Sequence, residues 1–569
     1  MHYIIVSGGV ISGVGKGIIA SSTGLLLQSL GFRVSCIKID PYVSVDAGLM
    51  APAEHGECFV LGSGSEVDLD LGNYERYLSL TLTGDNNITT GKVYLDVISK
   101  ERKGAYLGRT VQIVPHIVDA IKDWIKRVAH TCVDGSGEEP DVCIIELGGT
   151  VGDIESMPFL EALTQLRHEA GSTNFATIMV SYVPVIHGEQ KTKPTQHAVK
   201  GIRSHGLVPD VIACRCEKPL AESTVRKISL HCQVDLEQVI VVRDMPTIYQ
   251  VPLLLREQKI VPLLLSKMKL STESIPKLRV TKGEELWEAW KCAATAEHKA
   301  TVNIALVGKY VSSPDAYMSV TKALEHSAMH LRLNLNLLWI DAEHLEPQTQ
   351  TTKPEVYHKA WDTLRSSSGL IVPGGFGKRG VYGMMLASKW AREGKVPFLG
   401  VCLGFQVAVM QLARDACSLP YADSEEFDTE TKEPVIIYMP ELDRENMGGT
   451  MRLGLHETIF QEGSEWSKIR ALYGGGSSVK ERHRHRYEVN PQFIDRIQEA
   501  GIHFIGKDET GQRMEIFEMK DHPYFIGTQF HAEYQSRVLA PSKPYLGFVA
   551  ASAGYLDEAI KSQVLNGSK

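Results

Sequence analysis

The sequence predicts an α/β protein with two domains, each built on a mainly parallel sheet flanked by helices. Short apolar runs of strand length recur in both halves and alternate with segments of helix length, as βαβ units require. A polar stretch rich in Ser, Thr, Lys and Glu separates the two series. We therefore expect domains at 1–270 and 301–558, a linker at 271–300 that contains a short helix at Glu284–Ala294, and a C-terminal tail at 559–569.

Strands of the first series are predicted at Tyr3–Val6, Arg33–Lys38, Val142–Glu146, Ala176–Val180 and Val211–Cys214. The second series begins with a strand at Val302–Val307. Helix-length segments lie between most of these runs, which favours parallel pairing within each sheet.

The composition is that of an ordinary globular protein, with 43% hydrophobic and 22% charged residues among 569. A net charge of −8 gives no basic character that would indicate nucleic acid or a membrane surface as partner. The ten cysteines are scattered, and no run of 18 apolar residues occurs. We therefore expect a reduced, cytoplasmic setting.

A glycine-rich segment, Ser7–Gly17, lies between the first strand and a helix predicted from Ile18 to Leu30. Such a turn presents backbone N–H groups at a helix N-terminus, and Lys16 adds a positive charge for phosphate oxygens. The spacing is one residue longer than a Walker A motif, and Gly17 replaces its Ser or Thr. Phosphate binding is the favoured interpretation, and a glycine-rich turn without a ligand is the alternative.

Carboxylates near this segment are candidates for holding Mg²⁺. Asp68 and Asp70 are predicted to lie on one side of an extended stretch, and Glu146 ends a strand of buried character. Open α/β sheets place metal and nucleotide groups at the carboxyl ends of their strands. Solvated charges or helix caps are the alternative interpretation.

A polar segment at Gly188–His197 precedes a predicted helix, Ala198–Ser204. Its lysines, Lys191 and Lys193, suit an anionic ligand such as a nucleoside triphosphate. Taken alone, the segment would be read as an exposed polar loop.

Cys402 lies in a nucleophile-elbow pattern, between a predicted strand at Val396–Leu399 and a predicted helix at Gln406–Met410. Glycines two residues to either side permit a strained turn that presents the sulfur at the carboxyl end of a sheet. His531 and Glu533 could supply the base that activates a thiol and the group that orients this base. The alternative is a buried structural cysteine.

In combination these segments resemble the CTP synthase family, in which a glutamine amidotransferase is fused to a synthetase, over nearly the whole chain. The segments that carry the resemblance are Gly8–Gly17, Lys38–Tyr42, Asp68–Arg76, Gly148–Ser156, Lys191–His197, Pro373–Gly377, Gly400–Gly404, Gly448–Gly454 and Glu481–Tyr487. The chain departs from the family pattern at Ala532, where proline is common, and around Ala51–His55 and Leu61–Ser65.

The resemblance implies a P-loop-like synthetase domain followed by a class I glutamine amidotransferase domain. It implies a ligase that converts UTP, ATP and glutamine into CTP, with Mg²⁺ required and a 4-phosphorylated UTP intermediate. CTP would inhibit by feedback and GTP would activate as an allosteric effector. It also implies a homotetramer that can assemble into filaments, with no nucleic acid or membrane partner.

The resemblance assigns residues of the first domain by motif. Lys16 and Lys38 would stabilise the transferring phosphoryl group, and Asp70 and Glu146 would hold magnesium. The residues implied for ATP are Ser12, Gly13, Val14, Gly15, Lys16, Gly17, Ile18 and Asp70. Those implied for UTP or CTP are Ser12, Gln112, Asp153, Ile154, Glu155, Lys191, Lys193, Gln196 and Lys227.

In the second domain the resemblance implies Cys402 as nucleophile, His531 as proton carrier and Glu533 as its orienting group. The oxyanion donors would be the backbone N–H groups around Gly374, Gly375 and Leu403. The residues implied for glutamine are Gly375, Leu403, Gln406, Glu426 and Arg486. Arg484 and Phe376 are implied for GTP.

Two alternative functions remain open from the residues. A cobyrinate-type amidotransferase synthetase or a dethiobiotin-synthetase-like ligase uses a related ATP loop, but neither predicts the Lys-Thr-Lys-Pro-Thr-Gln segment. A catalytically silent, filament-forming or regulatory relative would keep the fold without activity. Such a relative should lack one of the five chemical side chains, all of which are present: Lys16, Asp70, Glu146, Cys402 and His531.

Overall fold

A computed structural model describes residues 1–9, 11–442 and 448–567. Val10 of the glycine-rich segment and the last two residues of the predicted tail therefore lie outside the described residues. The chain divides into two compact units. The first unit comprises Met1–Ala47 and Asp70–Thr295, and the second comprises Gly48–Leu69 and Ala296–Lys569. None of the helices in the described ranges has the length and apolar character needed to cross a membrane.

The described residues of the first unit form a seven-stranded sheet in which every pairing is parallel. In spatial order its strands are Val239–Arg243, Val211–Cys216, Phe175–Tyr182, His2–Gly8, Val142–Leu147, Val34–Asp40 and Asn87–Thr89. The central strands are buried on both faces, as is usual when helices cover both sides of a parallel sheet.

The helices of the first unit follow the strands in alternation. They are Lys16–Gln28, Leu69–Leu78, Thr90–Arg102, Val118–Ala129, Met157–Ala170, Lys193–Ser204, Glu222–Cys232, Val251–Glu257, Ile260–Met268 and Lys277–Ala294. A small hairpin, Val185–Ile186 with Glu189–Gln190, lies on the path into Lys193–Ser204.

The second unit contains a nine-stranded sheet within the part that the structure describes. In spatial order its strands are Leu333–Asp341, Ala300–Gly308, Gly369–Val372, Phe398–Val401, Phe525–Thr528, Met514–Glu518, His503–Lys507, Arg452–Phe460 and Ser478–His485. The first five are parallel and the remaining pairings are antiparallel. The strand that ends at Val401 therefore lies inside the parallel part of the sheet.

The helices of the second unit are Pro52–His55, Met318–Leu331, Pro347–Thr352, Pro354–Arg365, Val381–Glu393, Leu403–Ala416, Lys468–Leu472, Ile494–Glu499, Lys543–Ala553 and Leu556–Gly567. Smaller sheets pair Ala422–Ser424, Glu433–Tyr438 and Tyr487–Val489, and pair Phe59–Val60 with Glu66–Val67. The predicted fold class, two α/β domains with mainly parallel sheets, is confirmed.

The residues around Asp70 form a helix rather than the extended stretch that the sequence predicted. Alternation of Asp and Leu at 68–71 gave the extended signal, but it covers only four residues. Leu71, Tyr74 and Leu78 are all buried, and their spacing of three and four residues is that of a helix face. Asp70 consequently lies in the first turn of Leu69–Leu78.

The stretch predicted as a linker contains an 18-residue helix, Lys277–Ala294. Its Trp290 is 1% exposed and its indole N–H donates to the backbone oxygen of Tyr249 at 2.9 Å. The rings of Tyr77 and Trp290 also lie 5.0 Å apart. This stretch therefore packs into the core of the first unit.

Close backbone packing fixes the helix Leu403–Ala416 against the neighbouring strand Gly369–Val372. A Cβ atom on Gly404 would lie 2.0 Å from the carbonyl oxygen of Val372, and one on Gly400 would lie 2.7 Å from the backbone of Gly404. Both contacts are to backbone atoms, so no side-chain rotation can relieve them. Glycine is therefore required at these two positions by packing.

Replacing Gly404 with alanine is expected to destabilise the second unit by about 1–3 kcal/mol through overpacking. Differential scanning calorimetry should show a lower midpoint for the unfolding transition of this unit. Gly476→Ala is the matched control, because the nearest atom to its added Cβ is 3.7 Å away. Equal midpoints for Gly404→Ala and the control would contradict the packing argument.

Candidate functional site

The glycine-rich segment of the first unit joins the strand His2–Gly8 to the helix Lys16–Gln28. Gly13 and Gly15 adopt φ of +66° and +98°, a region that favours glycine. The Lys16 ammonium donates to the backbone oxygen of Gly149 at 3.0 Å. Burial lowers the pKa of Lys16, although the charge of Glu146 opposes the shift. The segment thus has the geometry of a phosphate-binding loop with its lysine in place.

A buried cluster of charges lies beside this loop and is centred on Lys38. The Lys38 ammonium is paired with Asp70 and lies 3.4 Å from Asp40 and 3.7 Å from Glu146. Burial raises the pKa of Glu146, and the phenol of Tyr74 donates to its carboxylate. Burial also acts to raise the pKa of Asp70, but the charge and hydrogen bond of Lys38 and the nearby charges of Lys16 and Arg76 together outweigh it, so that this pKa is lowered. The sequence prediction that Lys16, Lys38, Asp70 and Glu146 act together is consistent with this placement.

The two carboxylates predicted to hold magnesium both face Gly17. A Cβ atom on Gly17 would lie 3.1 Å from Asp70 Oδ1 and 3.4 Å from Glu146 Oε2. Among the described residues there is no group of three acidic, histidine or cysteine side chains suited to a metal. Mg²⁺ commonly takes one or two carboxylates and completes its shell with phosphates and water. The pair therefore fits Mg²⁺ that arrives together with a nucleotide.

The polar segment at Gly188–His197 places its lysines at the start of the helix Lys193–Ser204. This helix packs directly on the glycine-rich segment, since a Cβ on Gly9 would lie 2.2 Å from Ala198 Cβ. Lys191 is paired with Glu189, and the amide of Gln196 donates to Thr192 Oγ1 at 2.9 Å. The middle of this helix therefore lies against the glycine-rich segment.

Other residues predicted for the pyrimidine nucleotide are exposed in the single chain. Ile154 is 89% exposed and its neighbours Asp153 and Glu155 are also exposed. Gln112 is exposed before the helical turn Ile113–Ile117, and Ser12 and Lys227 are exposed as well. In the described structure no contact as close as that between Gly9 and the helix Lys193–Ser204 brings these exposed residues together.

A cavity of about 390 Å³ adjoins the phosphate loop, and the sequence reasoning missed it. Its polar groups include Arg215 and Asp244, and its apolar lining includes Val14, Ile18, Val180, Val242, Met245, Ile248 and Val251. Arg215 also donates to the backbone oxygen of Gly13 at 2.9 Å. Arg215 and Asp244 both lie at the carboxyl ends of neighbouring parallel strands. This position was the signal that could have identified them.

In the second unit Cys402 occupies a strained turn between the strand Phe398–Val401 and the helix Leu403–Ala416. Its φ is +52° and ψ is −100°, which is unfavourable for a residue with a Cβ. The thiol is 6% exposed and donates to the backbone oxygen of Arg484 at 3.7 Å. These features are those of a nucleophile elbow.

His531 is held beside Cys402 by an acidic partner. Its Nδ1 lies 2.7 Å from Glu533 Oε1, and the hydroxyl of Tyr545 donates to the other oxygen of Glu533 at 3.1 Å. Burial acts to lower the pKa of His531, but the charges and hydrogen bonds of Glu533 and Cys402 outweigh it and raise the pKa to about 10. The imidazole is consequently protonated at neutral pH and can act as a proton donor beside Cys402.

The predicted oxyanion donors lie next to this pair. A Cβ on Gly374 would lie 2.7 Å from His531 Cε1 and 3.6 Å from Cys402 Cβ. Gly374 and Gly375 also line a cavity of about 60 Å³ together with Cys402 and His531. Backbone N–H groups in this position can face a tetrahedral intermediate formed on the sulfur.

Residues predicted to bind glutamine line a second cavity of about 470 Å³ in the same unit. Glu426 and Arg486 are part of its wall, as is Phe376, which also lines the cysteine cavity. Gln406 is 3% exposed and its amide donates to the backbone oxygen of Tyr487 and to Gln529 Oε1. Its amide is therefore engaged by protein groups, one of which belongs to Tyr487 of the cavity wall.

Several contacts of Cys402 and His531 come from residues that the sequence reasoning missed. The amide of Gln529 lies 3.6 Å from the sulfur of Cys402. The ring of Tyr534 stacks on His531 with centroids 5.1 Å apart, and its hydroxyl donates to the backbone oxygen of Cys58. Gln529 and Tyr534 flank the His-x-Glu motif, and that proximity in sequence was the available signal.

The cysteine cavity is also lined by Glu57 and Cys58, from the segment Gly48–Leu69. Glu57 accepts the backbone N–H of Ser319 at 2.8 Å and so caps the helix Met318–Leu331. The guanidinium of Arg484 donates to Glu66 Oε1 at 2.8 Å and to the backbone oxygen of Gly48 at 3.1 Å. No sequence signal had associated this segment with the cysteine.

Comparison with known proteins supplies two family matches. The N-terminal domain of CTP synthase matches residues 2–270, and the class I glutamine amidotransferase family matches residues 313–551. The glutaminase domain of Trypanosoma brucei CTPS, solved with bound acivicin, is 38% identical and has a TM-score of 0.41. That match covers 44% of this chain and 94% of the solved chain.

Full-length relatives are similar over almost the entire sequence. The CTP synthase of Neurospora crassa is 63% identical over 561 residues, covering 99% of this chain and 97% of that protein. The CTP synthase of Schizosaccharomyces pombe is 58% identical and covers 99% and 94% of the two chains. That of Candida glabrata is 57% identical and covers 98% of each. The chain therefore belongs to the CTP synthase family, glutamine-hydrolysing ligases that join a synthetase domain to a class I glutamine amidotransferase domain.

Proposed function

We propose that the chain aminates UTP to CTP at the expense of ATP, with ammonia taken from glutamine. The observation that carries the proposal is the presence of two complete sets of reactive groups in one chain. One unit holds the Cys402–His531–Glu533 triad, and the other holds Lys16 and Lys38 beside a phosphate loop. A glutaminase alone would not need the second set.

Glutamine hydrolysis follows from the geometry of the triad. The Cys402 thiolate attacks the side-chain carboxamide, and backbone N–H groups at Gly374, Gly375 and Leu403 stabilise the resulting oxyanion. His531, protonated because its pKa is raised to about 10, gives its proton to the departing ammonia. The neutral imidazole then takes a proton from water, which hydrolyses the thioester. Glu533 keeps the ring oriented throughout.

Glutamine itself would lie between the cysteine and the neighbouring cavity. Glu426 and Arg486 carry charges that suit the α-amino and α-carboxylate groups. Burial raises the pKa of Glu426, while the N–H of Gly377 donates to its Oε1 at 2.6 Å. One carboxylate oxygen is thus engaged by the protein and the other could accept from substrate.

The first unit would activate UTP by phosphorylation at O4. Phosphoryl transfer depends mainly on positioning and on stabilising charge, and Lys16 and Lys38 supply fixed positive groups for both. Mg²⁺ held by Asp70 and Glu146 would neutralise phosphate charge. The phosphate leaves when ammonia attacks C4, and CTP results.

The cavity beside the loop suits the base of ATP. Its apolar walls can enclose a purine ring, while Arg215 and Asp244 offer a donor and an acceptor at its edge. Val14, Gly15 and Ile18 belong both to this cavity and to the predicted ATP-binding set. The base and the phosphates would therefore lie on opposite sides of one turn.

The regulatory predictions belong to the same proposal. CTP would inhibit through Asp153, Ile154 and Glu155, and GTP would activate through Arg484, whose guanidinium lies 5.2 Å from the centre of the Phe376 ring. Exposed apolar side chains on the first unit support assembly into a homotetramer; they include Leu95, Ile98, Leu107, Ile113 and Val114. A silent filament-forming relative is disfavoured because the triad and the lysine–carboxylate cluster are both complete.

Purified protein supplied with UTP, ATP, magnesium and glutamine should form CTP, detected by chromatography. Cys402→Ala is expected to abolish glutamine-dependent synthesis and to retain ammonia-dependent synthesis, because only the nitrogen supply is lost. Cys417→Ala, at the opposite end of the helix Leu403–Ala416, is the control and should retain both activities. Loss of ammonia-dependent synthesis in Cys402→Ala would count against separate roles for the two units.

Lys16→Ala should remove CTP formation with either nitrogen source, by roughly 100-fold or more, since phosphorylation precedes amination. Glutaminase activity without nucleotides should persist in this variant. The exposed Lys282, replaced by alanine, controls for loss of one lysine. Ammonia-dependent synthesis at the wild-type rate in Lys16→Ala would overturn the phosphate-loop assignment.

Asp244→Ala is expected to raise KM for ATP about tenfold, corresponding to loss of one hydrogen bond to a buried base. KM for UTP should change little. Steady-state kinetics with each nucleotide varied in turn would separate the two. The exposed acid Glu237, replaced by alanine, should alter neither value, and an unchanged KM for ATP in Asp244→Ala would remove the base from this cavity.

A further inference from the structure

The loop that carries the oxyanion donors leaves the sheet at the end of the strand Gly369–Val372. Its residues Gly374 to Gly377 belong to no helix or strand, and Gly377 has φ of +80°. Such a loop needs fixing from outside if its N–H groups are to be preorganised.

Lys309 directly follows the strand Ala300–Gly308, which pairs with the strand Gly369–Val372, and its side chain contacts this loop. It is 3% exposed, and its ammonium donates to the backbone oxygens of Phe376, at 3.2 Å, and of Gly377. Its aliphatic stem supports Gly375, since a Cβ there would lie 3.5 Å from Lys309 Cδ. One side chain thus contacts three consecutive residues of the loop.

The charge on Lys309 is unusual for so buried a position. In the described part of the chain no carboxylate lies within 4.0 Å of its ammonium, whose partners are backbone oxygens. The ring of Phe427 lies 5.7 Å away. Burial lowers the pKa of Lys309 to about 8, while the charge of Glu426 opposes the shift. The side chain therefore remains charged at pH 7 and its two acceptors are strongly held.

Glu426 holds the opposite side of the same turn. Its Oε1 accepts the N–H of Gly377 at 2.6 Å, while Lys309 holds the carbonyl of Gly377. The two peptide groups that meet at Gly377 are thereby fixed by groups of opposite charge. Rotation of either peptide would break a charge-assisted hydrogen bond in a buried setting.

We infer that Lys309 is a positioning residue for glutamine hydrolysis, which fixes the loop Gly374–Gly377 so that its N–H groups face the tetrahedral intermediate. The inference rests on the glutaminase reaction proposed above. Lys309 contacts neither Cys402 nor His531 in the described structure, so it acts through the loop. Its removal should therefore weaken stabilisation of the oxyanion more than binding of glutamine.

Lys309→Met tests this role, with glutaminase kinetics measured at pH 7. We expect kcat to fall about 10- to 100-fold, which is no more than the fall caused by removing a direct oxyanion donor. KM for glutamine should change less than about threefold. Lys309→Arg, which keeps the charge and the donors, should recover part of the loss. Ammonia-dependent CTP synthesis should be unchanged in both variants.

An aldehyde analogue of glutamine provides a second readout. Its carbonyl carbon forms a bond to the Cys402 sulfur and its oxygen takes up a proton, giving a tetrahedral hemithioacetal in the oxyanion site. Lys309→Met should weaken inhibition by this aldehyde by about the same factor as kcat, because both depend on the oxyanion site. Inhibition by glutamate, which forms no such adduct, should not change.

Lys378→Met is the matched control, since Lys378 is an exposed lysine directly after the loop and should be replaceable without effect. Wild-type kcat and aldehyde affinity in Lys309→Met would overturn the inference, as would a rise in KM alone. If Lys309→Met lowers the midpoint of thermal unfolding, only Lys309→Arg is used for the test. In that variant kcat and the affinity for the aldehyde should be lowered by the same factor. Absence of glutaminase activity in the wild type would instead refute the proposed function.

Discussion

The approach of the Gly404 backbone to the carbonyl of Val372 is the constraint on which the glutaminase unit depends. It sets the helix Leu403–Ala416 close enough to the sheet that the intervening residue must adopt a left-handed φ. Cys402 takes this conformation at a cost of about 1–3 kcal/mol, which the packing of the strand and helix offsets. The sulfur, the following N–H and the neighbouring Gly374 are thereby fixed in one small region.

In the first unit the main constraint is electrostatic, because several charged side chains are buried close together around Lys38. Lys38 lies among three carboxylates, and removing one partner of such a cluster leaves an uncompensated buried charge. A structural protein could replace the group with apolar side chains at little cost in stability. The presence of these charges beside a phosphate loop is therefore better explained by a polyanionic substrate than by folding.

Local patterns predicted much of this arrangement. Strand–glycine–helix junctions at Lys16 and Cys402 are read from consecutive residues, and the pair His531 and Glu533 lies within three positions. The sequence did not predict contacts made across long separations, such as Lys309 with Phe376 and Gly377. It also missed the helix Leu69–Leu78, because burial of every residue from Leu71 to Leu78 is a tertiary feature that four alternating residues do not reveal.

The segment Gly48–Leu69 shows most clearly why sequence order is insufficient. It precedes most of the first unit in the chain, yet its hydrogen bonds bind the second: Arg482 donates to the backbone oxygen of Val60, and Glu57 caps the helix Met318–Leu331. Arg482 is buried on the strand Ser478–His485 and Arg484 is partly buried there, and this segment supplies acceptors to both. Because desolvated guanidinium groups require acceptors, the segment stabilises the strand that carries them. The walls of the cysteine cavity are thus specified by both halves of the sequence.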